Sequence, residues 1–301
     1  MMRYRTSLES SRLASAIAGS LALAAVGCNV GPNYERPVVK SPDSYRAPSP
    51  PPTDAVAIAE RRWADVFTDP ELTRLIGVAL QNNYDLMLAA NRVLSAEAEL
   101  GVARTQNLPT ITAGASGGAQ RMRFAGRGDP RTGGLFQLDA EISWEIDFWG
   151  KFRRATEAAR AEFLASEWGR RAVVTSLVSR VATVYFQLRA LDLGLDIAKR
   201  TLGSRQESLR LTAVRETGGA GSLVDVRQAE QLVYGANAQI VDLERQIEQQ
   251  ENALSILLGR DPGPIPRGLD LSSQPRVVEI PTGLPSSLIE RRPDIQVAEQ
   301  E

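Results

Sequence analysis

Phe136-Gln137-Leu138-Asp139-Ala140-Glu141-Ile142-Ser143-Trp144-Glu145-Ile146-Asp147-Phe148 alternates without a break. Phe136, Leu138, Ala140, Ile142, Trp144, Ile146 and Phe148 make one row, and Gln137, Asp139, Glu141, Ser143, Glu145 and Asp147 make the other. Successive strand side chains point to opposite faces, so the pattern predicts a strand with one apolar face and one polar, mostly acidic face. Its 13 residues exceed the roughly 5–6 of an ordinary strand and the roughly 9–11 that cross a bilayer at a tilt. Membrane strands alternate apolar-out and polar-in, with aromatic residues near their ends. On that reading Phe136, Trp144 and Phe148 face the membrane, while Asp139, Glu141, Glu145 and Asp147 line a water-filled lumen. The alternative is a long surface strand of a soluble sandwich.

Outward from this stretch, residues 109–120 predict a first strand. Ile111, Ala113, Ala115, Gly117 and Ala119 alternate with Thr110, Thr112, Gly114, Ser116, Gly118 and Gln120. Met122 to Gly134 reads as the loop joining it to a second strand over 135–148. A lone hairpin cannot cross lipid, because its open edges leave backbone groups unsatisfied; only a closed barrel can.

Helices flank the hairpin. Asp69-Pro70-Glu71 reads as a helix start, with Asp69 as N-cap and Pro70 in the first turn. Helix is expected over 70–107, interrupted at Asn82-Asn83 and ended by Pro109. There is no proline between Pro130 and Pro262, so that interval must hold the longest regular structure. Leu177, Val181, Val184, Leu188, Leu191, Leu195, Ala198 and Leu202 recur at alternating steps of four and three, a heptad seam in a helix over 152–217. Such a helix would span roughly 100 Å. After Gly218, Gly219 and Gly221, a second helix over 223–258 repeats the spacing with Val226, Ala229, Val233, Ala236, Ile240, Leu243, Ile247, Leu254 and Leu257. The expectation is an antiparallel coiled-coil hairpin that acts as a wall.

Composition removes several functions. The chain has 301 residues, net charge −1, no histidine and one cysteine. Nothing points to nucleic acid, to a disulfide framework or to a cysteine-built zinc site. Arg3, Arg5 and Arg12 precede an apolar run from Leu13 to Val26, too short for a membrane span and typical of an export signal over 1–27. Ala25-Val26-Gly27-Cys28 is similar to a bacterial lipobox. That resemblance implies cleavage before Cys28, a thioether-linked diacylglycerol and an N-acyl chain such as palmitate. Residues 28–68, with Pro48, Pro50, Pro51 and Pro52, read as a lipid-anchored extended segment.

Five motifs resemble one known family. They are Gly31-Pro32-Asn33-Tyr34-Glu35-Arg36-Pro37, the run Ser143 to Lys151, Gly221-Ser222-Leu223-Val224-Asp225-Val226, the run Asn252 to Arg260, and the run Gly283 to Ile295. In this order they are similar to the TolC-like outer-membrane efflux proteins, in the lipoprotein branch often called NodT type. The resemblance implies a mainly α fold with a membrane β-hairpin, in which long coiled-coil helices build an α-barrel and strands build a β-barrel. It implies a homotrimer in the outer membrane that extends into the periplasm. A periplasmic adaptor and an inner-membrane pump of the resistance-nodulation-division type would dock beneath it. Drugs, metal ions or other small solutes would leave passively, with no catalytic residue, cofactor or metal site.

The family fold has two tandem repeats. Residues 69–259 match the first, and 260–301 read as a linker and the start of a second, since Asp85 and Asp294 align at an offset of 209. The expectation is an N-terminal piece holding only the first of two repeats. Two rival functions share some of these features. A periplasmic coiled-coil adaptor lipoprotein would share the anchor and the long helices but not the amphipathic strand pair. A periplasmic hydrolase could use neighbouring carboxylates of the acidic row, about 6.5 Å apart at i, i+2.

Overall fold

The computed structural model describes residues 30–40, 62–122, 129, 131–274 and 289–301. The export signal and Cys28 lie outside the described residues, as does much of the segment expected to be extended. The described elements run α1 (Trp63–Val66), α2 (Pro70–Asn82), α3 (Tyr84–Thr105), β1 (Thr110–Met122), β2 (Arg131–Ser143), α4 (Lys151–Thr217), α5 (Leu223–Leu257), a 3-10 turn (Leu271–Ser273) and α6 (Pro293–Gln300). The described residues divide into two packed units, one of residues 30–38 with those described in 94–164, and one of those described in 39–93 and 165–301.

The core lies in the second unit. Leu72, Leu75, Ile76 and Ala79 of α2 sit at the i, i+3, i+4, i+7 positions of one helical face, and all four are buried. They pack with Leu177, Val181, Tyr185 and Leu188 of α4, with Leu254 and Leu258, and with Ile265. Each large aliphatic side chain buried there stabilises the fold by about 1.5–3 kcal/mol. The seams on α4 and α5 are buried or half-buried at every position named above. Three polar contacts give the antiparallel sense: Gln250 reaches the Val184 carbonyl, Lys199 pairs with Glu244, and Arg205 reaches the Leu232 carbonyl.

Local chemistry sets the ends of these helices. At the end of α4, Gly219 adopts φ +74°, which favours glycine, while its N–H and that of Ala220 reach the Glu216 and Arg215 carbonyls. Ser222 and Asp225 then form a reciprocal capping box that starts α5. The break between α2 and α3 is the single residue Asn83. Its side-chain oxygen accepts from the Leu86 N–H, and its amide donates to the Leu257 carbonyl.

Two knots hold the segment that follows α5. The buried Asp69 carboxylate accepts hydrogen bonds from the N–H groups of Glu71, Leu72 and Leu269, the Tyr185 hydroxyl and the Gln274 amide. Beside it, Arg267 bridges Asp192 and Glu251, and Arg189 bridges Asp192 and Asp270. The N-cap role of Asp69 is legible from Asp69-Pro70-Glu71; nothing in the local sequence marks Tyr185 or Gln274 as its partners. Asp85 and Asp294 are each the second residue of a helix.

Candidate functional site

β1 and β2 pair antiparallel along their whole length, from Thr110 opposite Ser143 to Met122 opposite Arg131. Residues directly opposite share a face. Ile111, Ala113, Ala115 and Gly117 therefore stand with Ile142, Ala140, Leu138 and Phe136, while Thr112, Gly114 and Ser116 stand with Glu141, Asp139 and Gln137. The two apolar rows coincide, and a slip of one residue would have set each against a polar row. Leu135, opposite Gly118 on the polar face, is an exception.

β1 is built small where β2 is large. A Cβ on Gly114 would lie 2.7 Å from an Asp139 carboxylate oxygen, and one on Gly117 would lie 3.1 Å from the Phe136 ring. The acid and the aromatic of β2 thus lie over glycines of β1. On the apolar face Phe136 is 86 % exposed and Leu138 85 % exposed, so the described chain leaves this row uncovered.

The structure moves both ends of the expected second strand. β2 begins at Arg131 rather than 135, because Met122 to Ala119 supply partners for Arg131 to Gly134. It ends at Ser143 rather than 148. Its partner begins at Thr110, directly after Pro109, which has no N–H to donate to a ladder. Past Ser143 the chain meets the end of α3 instead of a strand, and the Trp144 indole N–H donates to the Asn107 carbonyl.

Of the site residues expected on the strand, Asp139, Glu141 and Phe136 stand on it; Glu145, Asp147, Trp144 and Phe148 do not. Glu145 pairs with Lys151. Asp147 accepts from the backbone N–H of Arg153 and pairs with its guanidinium, so it caps the first turn of α4. Desolvation pushes the Asp147 carboxyl up, but backbone N–H groups of Arg153, Lys151 and Gly150, with the Arg153 charge, outweigh it and hold its pKa below the usual range. Phe148 and Trp149 stack edge to face at 5.9 Å, and both are exposed. Thr156 donates to the Ala103 carbonyl and accepts from Asn107, tying the end of α3 to the start of α4.

Among the described residues no group of three or more His, Cys, Asp or Glu side chains could hold a metal ion, and no helix is long and apolar enough to cross a membrane. Neither fact bears on a β-barrel.

Residues 75–260 match the family model of outer membrane efflux proteins. The chain belongs to that family. It is 34% identical over 280 residues to the probable efflux pump outer membrane protein TtgC of Pseudomonas putida, covering 91% of this chain and 58% of that protein. It is 32% identical over 278 residues to the probable outer membrane lipoprotein SilC of Salmonella typhimurium, covering 91% of this chain and 59% of that protein. The solved open-state MtrE outer membrane channel of Neisseria gonorrhoeae superposes with a TM-score of 0.76 at 32% identity, over 91% of this chain and 60% of that one. The chain thus spans less than two thirds of the length of these relatives. The fold is that of the outer-membrane efflux channels, and the outer membrane is where this family works.

Proposed function

We infer that this chain is a subunit of an outer-membrane efflux conduit, through which drugs, metal ions or other small solutes leave passively. The observation that carries this is the coincidence of two exposed apolar rows on one face of the hairpin, opposite a polar face bearing Asp139 and Glu141. An apolar row this exposed needs a lipid partner, and a barrel wall wets only the other face. The described residues hold two strands, whereas membrane barrels have about eight or more, so the hairpin works with strands beyond these two. Carboxylates on the wet face make the lumen mildly cation-preferring. Its functional partners are two further copies, a periplasmic adaptor and an inner-membrane pump, and lipid on Cys28 adds an anchor. A hydrolase gains no support from Asp139 and Glu141, which stand on an open strand face rather than in a cleft.

Single cysteines in the outer-membrane-assembled protein test this reading. Asp139→Cys and Glu141→Cys should react with small charged thiol reagents. Leu138→Cys and Ile142→Cys should resist them and react with lipid-phase probes instead. Equal labelling of both sets by the charged reagent would overturn the barrel-wall reading.

A further inference from the structure

The Gly31-Pro32-Asn33 stretch lies outside the hairpin and the seams, yet three contacts fix it to the junction between β2 and α4. The Val30 N–H donates to the Trp149 carbonyl at 3.1 Å. Arg154, in the first turn of α4, donates through Nη2 to the Gly31 carbonyl at 3.2 Å and to Asn33 Oδ1 at 2.8 Å. Its Nη1 pairs with Glu157, which holds the guanidinium in place. Gly31 has φ +111°, in the left-handed region that side-chain-bearing residues avoid, so glycine is what lets the carbonyl of residue 31 and the amide of residue 33 converge on one nitrogen.

Two residues of chain reach at most about 7 Å. Cys28 is two residues before Val30, so whatever it bears enters its surroundings close to Trp149. Phe148 and Trp149 are exposed there, beside Ile146. Lys151, 68 % exposed in its side chain, stands next to them. Aromatic rings beside a lysine are the composition of a membrane–water boundary.

We propose that Arg154, Gly31 and Asn33 form a latch that sets where the acyl chains of the N-terminal residue enter the leaflet, delivering them beside Phe148 and Trp149. The occupant of this aromatic surface is a lipid leaflet together with the protein's own acyl chains. Arg154 is a positioning residue: it touches the peptide that bears the lipid, not the lipid itself. The proposal rests on the reading of Cys28 as lipid-bearing.

The test uses the full chain, expressed in a Gram-negative host fed a fatty acid with a photoreactive tail. After illumination, labelled peptides are mapped. The wild type should carry label on Cys28 and photo-adducts within residues 144–153. Arg154→Met and Asn33→Ala should keep the label on Cys28 but lose those adducts by roughly tenfold, the factor one charge-assisted hydrogen bond implies. Asn33→Ala removes only an acceptor on an exposed segment, so it remains informative if Arg154→Met fails to assemble. Adducts mapping elsewhere in the wild type, or unchanged in both variants, would overturn the latch while leaving lipidation intact. No label on the wild type, with Cys28→Ala as the reference, would overturn lipidation and the latch together.

Discussion

Asp69→Ala should destabilise the fold by about 3–5 kcal/mol. The carboxylate is fully buried, and its two oxygens divide the work. Oδ1 accepts from the Glu71 and Leu72 N–H groups and caps α2. Oδ2 accepts from the Tyr185 hydroxyl, the Leu269 N–H and the Gln274 amide, and so fastens the segment after α5 to the helical core. Losing an N-cap costs about 1 kcal/mol. Each buried donor left without a partner costs about 1–3 kcal/mol; the fully buried Tyr185 hydroxyl bears the most of it, with the part-buried Leu269 and Gln274 donors behind it. The removed desolvation of the carboxylate offsets part of this, which holds the sum to the stated range. The assay is urea unfolding in detergent, followed by helical circular dichroism, with Asp69→Ser alongside. Serine keeps an acceptor for the cap but cannot reach the far donors, so it should recover only about 1 kcal/mol. If Asp69→Ala lies within about 1 kcal/mol of wild type, or if serine restores full stability, the two-sided role assigned to this carboxylate is wrong.

The same site predicts a pH dependence. Burial pushes the Asp69 carboxyl up, but hydrogen bonds from Gln274, Tyr185, Leu72 and Glu71 outweigh it, so its folded pKa lies below the ordinary 3.8. A depressed carboxylate stabilises the fold above its unfolded pKa, and that contribution fades as pH falls through the folded value. Burial above all, with the Asp69 hydrogen bond and charge, raises the Tyr185 pKa to about 12, against the opposing Gly268 N–H and Arg189 charge. A raised pKa stabilises below the ordinary value near 10 and is lost as pH climbs towards 12. The stability plateau should therefore erode at both extremes in wild type; Tyr185→Phe should remove the alkaline limb and, by taking one hydrogen bond from Asp69, move the acid limb towards neutral pH. Leu138→Arg puts a charge on the exposed apolar row and should cost about 2–4 kcal/mol if that residue sits near the bilayer midplane, read as reduced folded yield in lipid vesicles against detergent. Ser222→Ala removes the capping box at the start of α5 and should cost about 1 kcal/mol in the urea assay, with no change in membrane insertion. Gly268→Ala would drive a methyl into the Asp69 carboxylate, so it should destabilise by about 1–3 kcal/mol and shift the acid limb towards neutral pH, where a plain packing defect would leave that limb in place.

Features that depend on near neighbours in the chain are legible in the sequence. The apolar face of α2, the N-cap at Asp69, the two seams and the alternating rows of both strands all follow from spacings of two to seven residues. Their geometry is set by helix and strand periods, which the chain carries locally. Where β2 stops is a different matter. Trp144 to Phe148 continue the alternation without a fault, yet no strand forms there because β1 begins at Thr110 and offers nothing opposite. A strand exists only where a partner accepts its hydrogen bonds, and a pattern within one segment cannot say where its partner ends. That is why Glu145 and Asp147 match Asp139 and Glu141 in sequence but turn to Lys151 and Arg153 in the fold. The buried knot is equally hidden, since Asp69 meets Tyr185 across 116 positions and Leu269 across 200. Convergence over such distances comes from packing the α2, α4 and α5 faces together. Only that tertiary arrangement brings these donors to one carboxylate; Arg154 meets Gly31 across 123 positions and Asn33 across 121, equally beyond the reach of any local pattern.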